Sequence, residues 1–188
     1  STLKKLHIPF ALGFKGTLNA LGASNSKISN PVQARYWSMV PYQLGLGADR
    51  QAVKYSARPC SLSADTMLNQ SDPNFLRAAL QNTLNKKDVC MEFLIQPRTS
   101  NKMLVETSMN EWKEDKAPFY KVATIHIPQQ VFSTPDQNKF CENLSFTPWH
   151  SLPEHKPLGA INRLRKVIYE NISIVRHEMN SAQRQEPK

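Results

Sequence analysis

One segment constrains this chain more than any other: GAINRLRKVIYENISIVRHEMN, residues 159–180, in which apolar side chains recur at helical spacing. With Ile161 as zero and about 100° per residue, Leu164, Ile168, Ile172, Val175 and Met179 all fall within about 60° of it. That arc predicts the buried stripe of a long terminal helix, with Arg163, Lys166, Glu170, Ser173 and His177 on its solvated side. Arg165, Tyr169 and Arg176 fall at about +40°, +80° and +60°, a narrow band along one edge of the stripe. Two guanidinium groups thus bracket one phenol. Neighbouring cations favour the ionised form of a phenol, and an anionic phenolate oxygen is a ligand for ferric iron. The plainer alternative is ordinary stacking or hydrogen bonding between Tyr and Arg.

At 188 residues and 40% hydrophobic, the chain can form one domain with a sizeable core. No apolar run approaches the roughly 18 residues of a membrane span. No secretory signal is visible, and one already removed would leave no trace. Cys60, Cys90 and Cys141 are odd in number and lack CxxC spacing, so neither a zinc ribbon nor a disulfide framework is expected. A reduced compartment follows, the cytoplasm favoured over an oxidising one. Charge is uneven: residues 1–60 carry eight Lys or Arg against one Asp, and residues 61–150 are nearly neutral. A basic opening third suits an anionic partner or a missing acidic complement. No RRM, KH, helix-turn-helix or zinc-finger pattern accompanies it, so nucleic-acid binding is not expected.

The opening HIPFALGFKGTLNALG reads as a Gly-punctuated helical arm, followed by the polar linker ASNSKISNP. Arg35–Tyr42 reads as a strand closed by Pro41, and AVKYSARP as another. Ser71-Asp72-Pro73 is a helix start, with helical spacing of Phe75, Leu76, Ala79, Leu80 and Leu84 to about Asn85. VCMEFLIQP is a strand with Val89, Met91, Phe93 and Ile95 on one face. FYKVATIHIP is a strand with Ala123, Ile125 and Ile127 opposite Val122, Thr124 and His126. MLVETSMNEWKEDKAPF between them reads as an irregular charged connection. The Pro-rich FTPWHSLPEHKP leads into the terminal helix, and the tail after Met179 reads as frayed. The order predicts an α+β chain on an antiparallel sheet, an incomplete barrel or an open sheet whose edges need cover.

FCENLSFTPWHSLPEHKPLGAINRLRKVIYENISIVRH resembles the proximal haem region of the haem-dependent catalase superfamily, in particular its small catalase-related members. ENLSFTP, the Pro-rich loop, the Arg165/Tyr169 pair and Arg176 follow in the family's order. RYWSMVPYQLG, AVKYSARPC, DPNFLRAALQ, EFLIQP and EWKEDKAPFYKVATIHIP are similar to the family's second-half strands and connections, extending the resemblance over residues 30–180. It implies the second half of a catalase-like β-barrel, with a helix inserted between strands and a C-terminal proximal haem helix. It also implies an arm and linker over 1–30, a catalase-like domain over 31–180 and a polar tail over 181–188.

The resemblance implies haem b as cofactor, with Tyr169 as the ligand to iron, the axial donor that catalases use. Arg165 would hold Tyr169 ionised, Arg176 would act toward the ligand or a haem propionate, and Phe146 would pack on the proximal face. Ile172 stands where the family often has Thr. Nothing matches the family's distal His and Asn. His7, His126, His150, His155 and His177 lie in other contexts, His126 reading as a satisfied strand histidine. Cys141, His150 and His155 fit no zinc pattern well. The expectation is therefore a peroxide-converting enzyme of oxidative stress whose distal machinery lies in a missing N-terminal half, this chain alone being nearly inactive. Alternatives are an organic or fatty-acid hydroperoxide-converting enzyme, allene oxide synthase-like, and a non-enzymatic haem-binding or interaction module. Homo-oligomers stay open.

Overall fold

The computed structural model describes residues 13, 16–18, 28–62, 71–107 and 110–185. Most of the expected N-terminal arm lies outside these. Five strands are formed: β1 (Tyr36–Trp37), β2 (Tyr42–Leu44), β3 (Gln51–Pro59), β4 (Val89–Pro97) and β5 (Tyr120–Ile127). Three helices with described bounds accompany them: α1 (Phe75–Leu84), α2 (Pro135–Glu142) and α3 (Gly159–Met179). All pairings are antiparallel, in the order β1-β3-β4-β5, with β2 also on β3. Among the described residues the sheet is open, with β5 at one edge.

The expected strand over 35–42 is two short strands, because Met39–Pro41 leave the β3 ladder after Ser38 bonds Tyr55, and β2 rejoins it at Tyr42 opposite Val53. The α1 helix begins later than expected. Asp72 Oδ1 accepts the Asn74 N–H at 2.8 Å, an Asx turn that keeps Pro73 outside the helix. The α2 helix was not anticipated, although its start is written in the sequence. Thr134 caps the Gln137 N–H while the Gln137 side chain accepts from the Thr134 N–H, with Pro135 in the first turn.

Alternation along the strands divides the sheet cleanly. Val89 and Met91 face α1 and join Val32 and Leu84 in one core, with Leu80, Ile127 and Phe132 packed on it. The opposite face of β3 and β4 is covered at one end by the connection over 103–117. That segment is irregular, as its sequence indicates, but it supplies a second core of Met103, Trp112 and Ala117. Gln96 fastens it through 2.8 Å hydrogen bonds from Nε2 to the Trp112 and Ala117 carbonyls. Lys54 lies over the Trp112 ring, 4.9 Å from its centroid, and burial pulls its ammonium below the ordinary value against the raising influence of Glu111.

The largest departure concerns α3. Its apolar stripe faces outward: Leu164 is 56% exposed, Ile172 62%, and Ile161, Ile168, Val175 and Met179 are exposed as well. Of the side expected to be solvated, Arg163, Lys166 and Glu170 are exposed as expected, but Ser173 and His177 are buried and dock the helix together with Asn162. The surface this chain offers to the helix is polar. The Pro41 carbonyl accepts from Asn162 Nδ2 at 3.1 Å, Ser145 Oγ meets Ser173 Oγ at 2.9 Å, and the Asn143 carbonyl meets His177 Nε2 at 2.8 Å. The tail is also more ordered than expected. Ala182 N–H donates to the His177 carbonyl, and Gln185 exchanges backbone hydrogen bonds with Asn143 and Ser145.

A third correction concerns the cysteines. Cys60 and Cys90 form a disulfide, with Cα atoms 5.5 Å apart, and Cys141 is free and exposed. The spacing gave no signal because the bond joins Cys90 of β4 to the residue just past the end of its partner strand β3, an arrangement that sequence separation does not reveal.

The two faces of α3 make opposite predictions for stability. Leu164→Ala and Ile172→Ala should each change the unfolding free energy of this chain by less than about 0.5 kcal/mol. Asn162→Ala leaves buried carbonyls unsatisfied and should cost about 2 kcal/mol. Urea unfolding of the three variants checks the assignment.

Candidate functional site

The start of α3 is fixed tightly. Gly159 has φ +84°, and a Cβ there would lie 2.4 Å from the Val105 carbonyl oxygen, so only glycine admits this approach. Leu158 N–H donates to the Pro41 carbonyl at 3.1 Å and Gln43 N–H to Lys156 at 2.8 Å. Four residues into the helix, Arg163 grips Glu106 with both guanidinium ends, at 2.8 and 3.3 Å. The first turns of the helix are thus clamped to the connection over 103–117 and to the strand β2.

On this base the band of Arg165, Tyr169 and Arg176 forms as a unit. Arg165 Nη2 donates to the Tyr169 hydroxyl at 3.0 Å, and its guanidinium lies 5.1 Å from the ring centroid. Its Nη1 donates to Asn162 Oδ1 at 3.3 Å. Burial acts to lower the Arg165 pKa, but the hydrogen bonds and charges of Tyr169 and Tyr42 together outweigh it, and the net direction is upward. Tyr42 continues inward as a row of rings, with Tyr55 at 5.0 Å and Phe93 at 5.3 Å beyond. Burial, then Tyr42, push the Tyr55 phenol up.

Tyr169 and Arg176 open onto a cavity of about 310 Å³ between α3 and residues 144–146. Leu144, Phe146, Ile168 and Ile172 supply apolar walls. Arg176 Nη2 donates to the Leu144 carbonyl, while its Nε is buried without a hydrogen-bond partner. An orphaned buried N–H on a cation asks for an acceptor. A phenol, a cation behind it and apolar walls thus meet at one cavity.

Of the residues singled out in the sequence, Tyr169, Arg176 and Phe146 line one cavity and Arg165 sits behind Tyr169. Reading the sequence missed Asn162 and Tyr42, which hold Arg165. Asn162 lay beyond the band that drew attention, and the helical pattern treats it as one more polar residue. The histidines are dispersed. His126 bonds Asp88 at 3.0 Å on the open face of β5, as a satisfied strand histidine does. His150 meets Arg184 at 2.8 Å, and His177 lies in the buried seam against Ser173 and Asn143. His7 lies outside the described residues. Among the described residues no three His, Cys, Asp or Glu side chains converge on a metal position, and no helix is long and apolar enough to cross a membrane.

No protein-family model matches the chain, and no curated protein matches its sequence. Among solved structures it is similar to a fungal catalase, with a TM-score of 0.60 and 15% identity over 79% of this chain and 32% of that one. The fold is therefore catalase-like, and the chain spans about a third of that catalase's length.

The Arg163 clamp titrates with a defined sign. The Arg163 hydrogen bond, with its charge and the Ala160 N–H in support, holds the Glu106 carboxyl below the usual range against an opposing desolvation. The stabilisation is complete above the ordinary glutamate value of about 4.3 and is lost as pH falls through the depressed folded value. The thermal midpoint should decline below about pH 4. Glu106→Gln should have a lower midpoint at pH 7 and a shallower acid decline, measured by tryptophan fluorescence.

Proposed function

We propose that this chain is the proximal half of a catalase-like haem oxidoreductase acting on hydrogen peroxide or related peroxides. One observation carries the reading: the Arg165–Tyr169 hydrogen bond at the edge of an apolar cavity that Arg176 also lines. Bound haem would supply the iron at which a peroxide O–O bond is cleaved. The Tyr169 oxygen would be the ligand to that iron. Arg165 would keep the oxygen anionic by donating Nη2 to it, and the Asn162 and Tyr42 bonds to Arg165 would keep that donor aimed. Arg176 Nε would donate to a carboxylate at the rim of the haem, and Phe146 and Ile172 would cover its proximal face and keep water away.

Distal proton transfer has no candidate in this reading of the chain. The exposed apolar side of α3 and the unpaired edge of β5 support a further N-terminal segment of the same protein as the complement that brings it. The domain would run over 31–180, as the sequence suggests. Choice between hydrogen peroxide and organic hydroperoxides would rest with that complement.

Titration with ferric haem tests the proximal assignment directly. The wild-type chain should develop the absorption of a tyrosinate-ligated ferric haem while turning over hydrogen peroxide only feebly. Tyr169→Phe should abolish that spectrum, and Arg165→Leu should weaken haem binding roughly tenfold or more, the effect of one charge-assisted hydrogen bond. An unchanged spectrum in Tyr169→Phe would overturn the ligand assignment.

A further inference from the structure

On the face of the sheet away from the α1 core, Cys60, Cys90 and His126 come together. Cys90 lies in the central strand β4, and its register places it directly opposite His126 on β5. Directly opposed residues of an antiparallel pair share a face, with Cβ atoms about 5 Å apart. Cys60, just beyond β3, reaches Cys90 from the other side through the disulfide. His126 Nε2 is held at 3.0 Å by Asp88 Oδ2, and Asp88 Oδ1 accepts the Gln129 N–H at 2.8 Å. The Nδ1 of His126 has no partner among the described residues. Cys60 is exposed and Cys90 is half-buried.

We propose that the Cys60–Cys90 bond is a thiol-exchange site, which takes small-molecule thiols as mixed disulfides on Cys60 with His126 as proton donor to Cys90. Cys60 is the more exposed partner, so its sulfur is the one assigned to the incoming thiolate. The thiolate attacks Cys60 Sγ, a new S–S bond forms, and the Cys60–Cys90 bond breaks with its electron pair passing to Cys90 Sγ. An imidazolium at His126 gives that sulfur a proton, and Asp88 steadies the ring while it does so. A second thiolate attacking the added sulfur releases the symmetrical small-molecule disulfide and leaves Cys60 reduced. The sheet does not depend on the bond. Cys60 N–H donates to the Cys90 carbonyl at 3.1 Å, and the β3–β4 ladder continues through seven further pairs. Opening therefore changes chemistry at the surface and leaves the fold in place, which suits a reversible modification.

The test uses the oxidised 188-residue chain carrying Cys141→Ser, treated with reduced glutathione, quenched in acid and mapped by mass spectrometry. The expected product carries one glutathione on Cys60 and a free thiol on Cys90, with an unchanged circular dichroism spectrum. His126→Ala should slow adduct formation about tenfold or more, whereas His150→Ala should leave it unchanged. An adduct on Cys90, exchange no faster than in the urea-unfolded chain, or two free thiols at Cys60 and Cys90 before treatment would overturn the site. An unaltered rate in a folded His126→Ala chain would overturn the proton donor.

Discussion

The Asn162 carboxamide holds together the parts of this chain that matter most to its candidate site. It is fully buried. Its Nδ2 donates both to Pro41, between the first two strands, and to Leu158, at the start of α3. Its Oδ1 accepts from Arg165, and its backbone carbonyl accepts from Trp149 Nε1 at 2.7 Å. One side chain therefore sets where the helix lies against the sheet and which way Arg165 points, and the backbone carbonyl of the same residue anchors the Pro-rich loop. An amide does this where a hydrophobic residue cannot, because the groups it meets are backbone carbonyls that must be satisfied once water is removed.

That polar docking explains an otherwise odd division of energy along α3. Burying a Leu, Ile or Val side chain stabilises a fold by about 1.5–3 kcal/mol. Leu164, Ile168, Ile172, Val175 and Met179 realise little of this in the chain as it stands. A contiguous apolar face of this kind is unusual on the surface of a folded domain. It accords with the chain spanning only about a third of the fungal catalase it resembles. Under the proposed function, the same face would form a wall of the haem pocket and the seat of a further segment.

Much of the fold was legible because strand alternation and helix periodicity are local properties. Val89–Pro97 and the face shared by Val89, Met91, Phe93 and Ile95 follow from the sequence alone, as do the bounds of α3. The reversal of α3 was not legible. A hydrophobic pattern states which side of a helix prefers to leave water, but it does not state whether the rest of the chain supplies an apolar partner. The Cys60–Cys90 bond and the Met103, Trp112 and Ala117 core escaped for a related reason. Both depend on register between segments far apart in sequence, and neither the 29 intervening residues nor the charged connection carries a period that encodes it. The α2 helix is different, since its Thr-Pro-Asp-Gln start was present and overlooked beside a Pro-rich loop.

The site survived the reversal for a geometric reason. On the same angular scale the apolar arc of α3 runs from about −60° to +20°, while Asn162, Ser173 and His177 fall at about +100°, +120° and +160°. Arg165, Tyr169 and Arg176, between about +40° and +80°, occupy the boundary between the two. Whichever side is buried, the band lies at its margin. Arg165, next to the seam, is drawn toward Asn162 and Tyr42 and becomes half-buried, whereas Tyr169 remains 37% exposed at the mouth of the cavity. A guanidinium fixed from behind and a phenol open in front is the order that the proposed ligand role would require. The charge that stabilises an oxygen anion must be shielded from water to act strongly, and the oxygen itself must stay accessible.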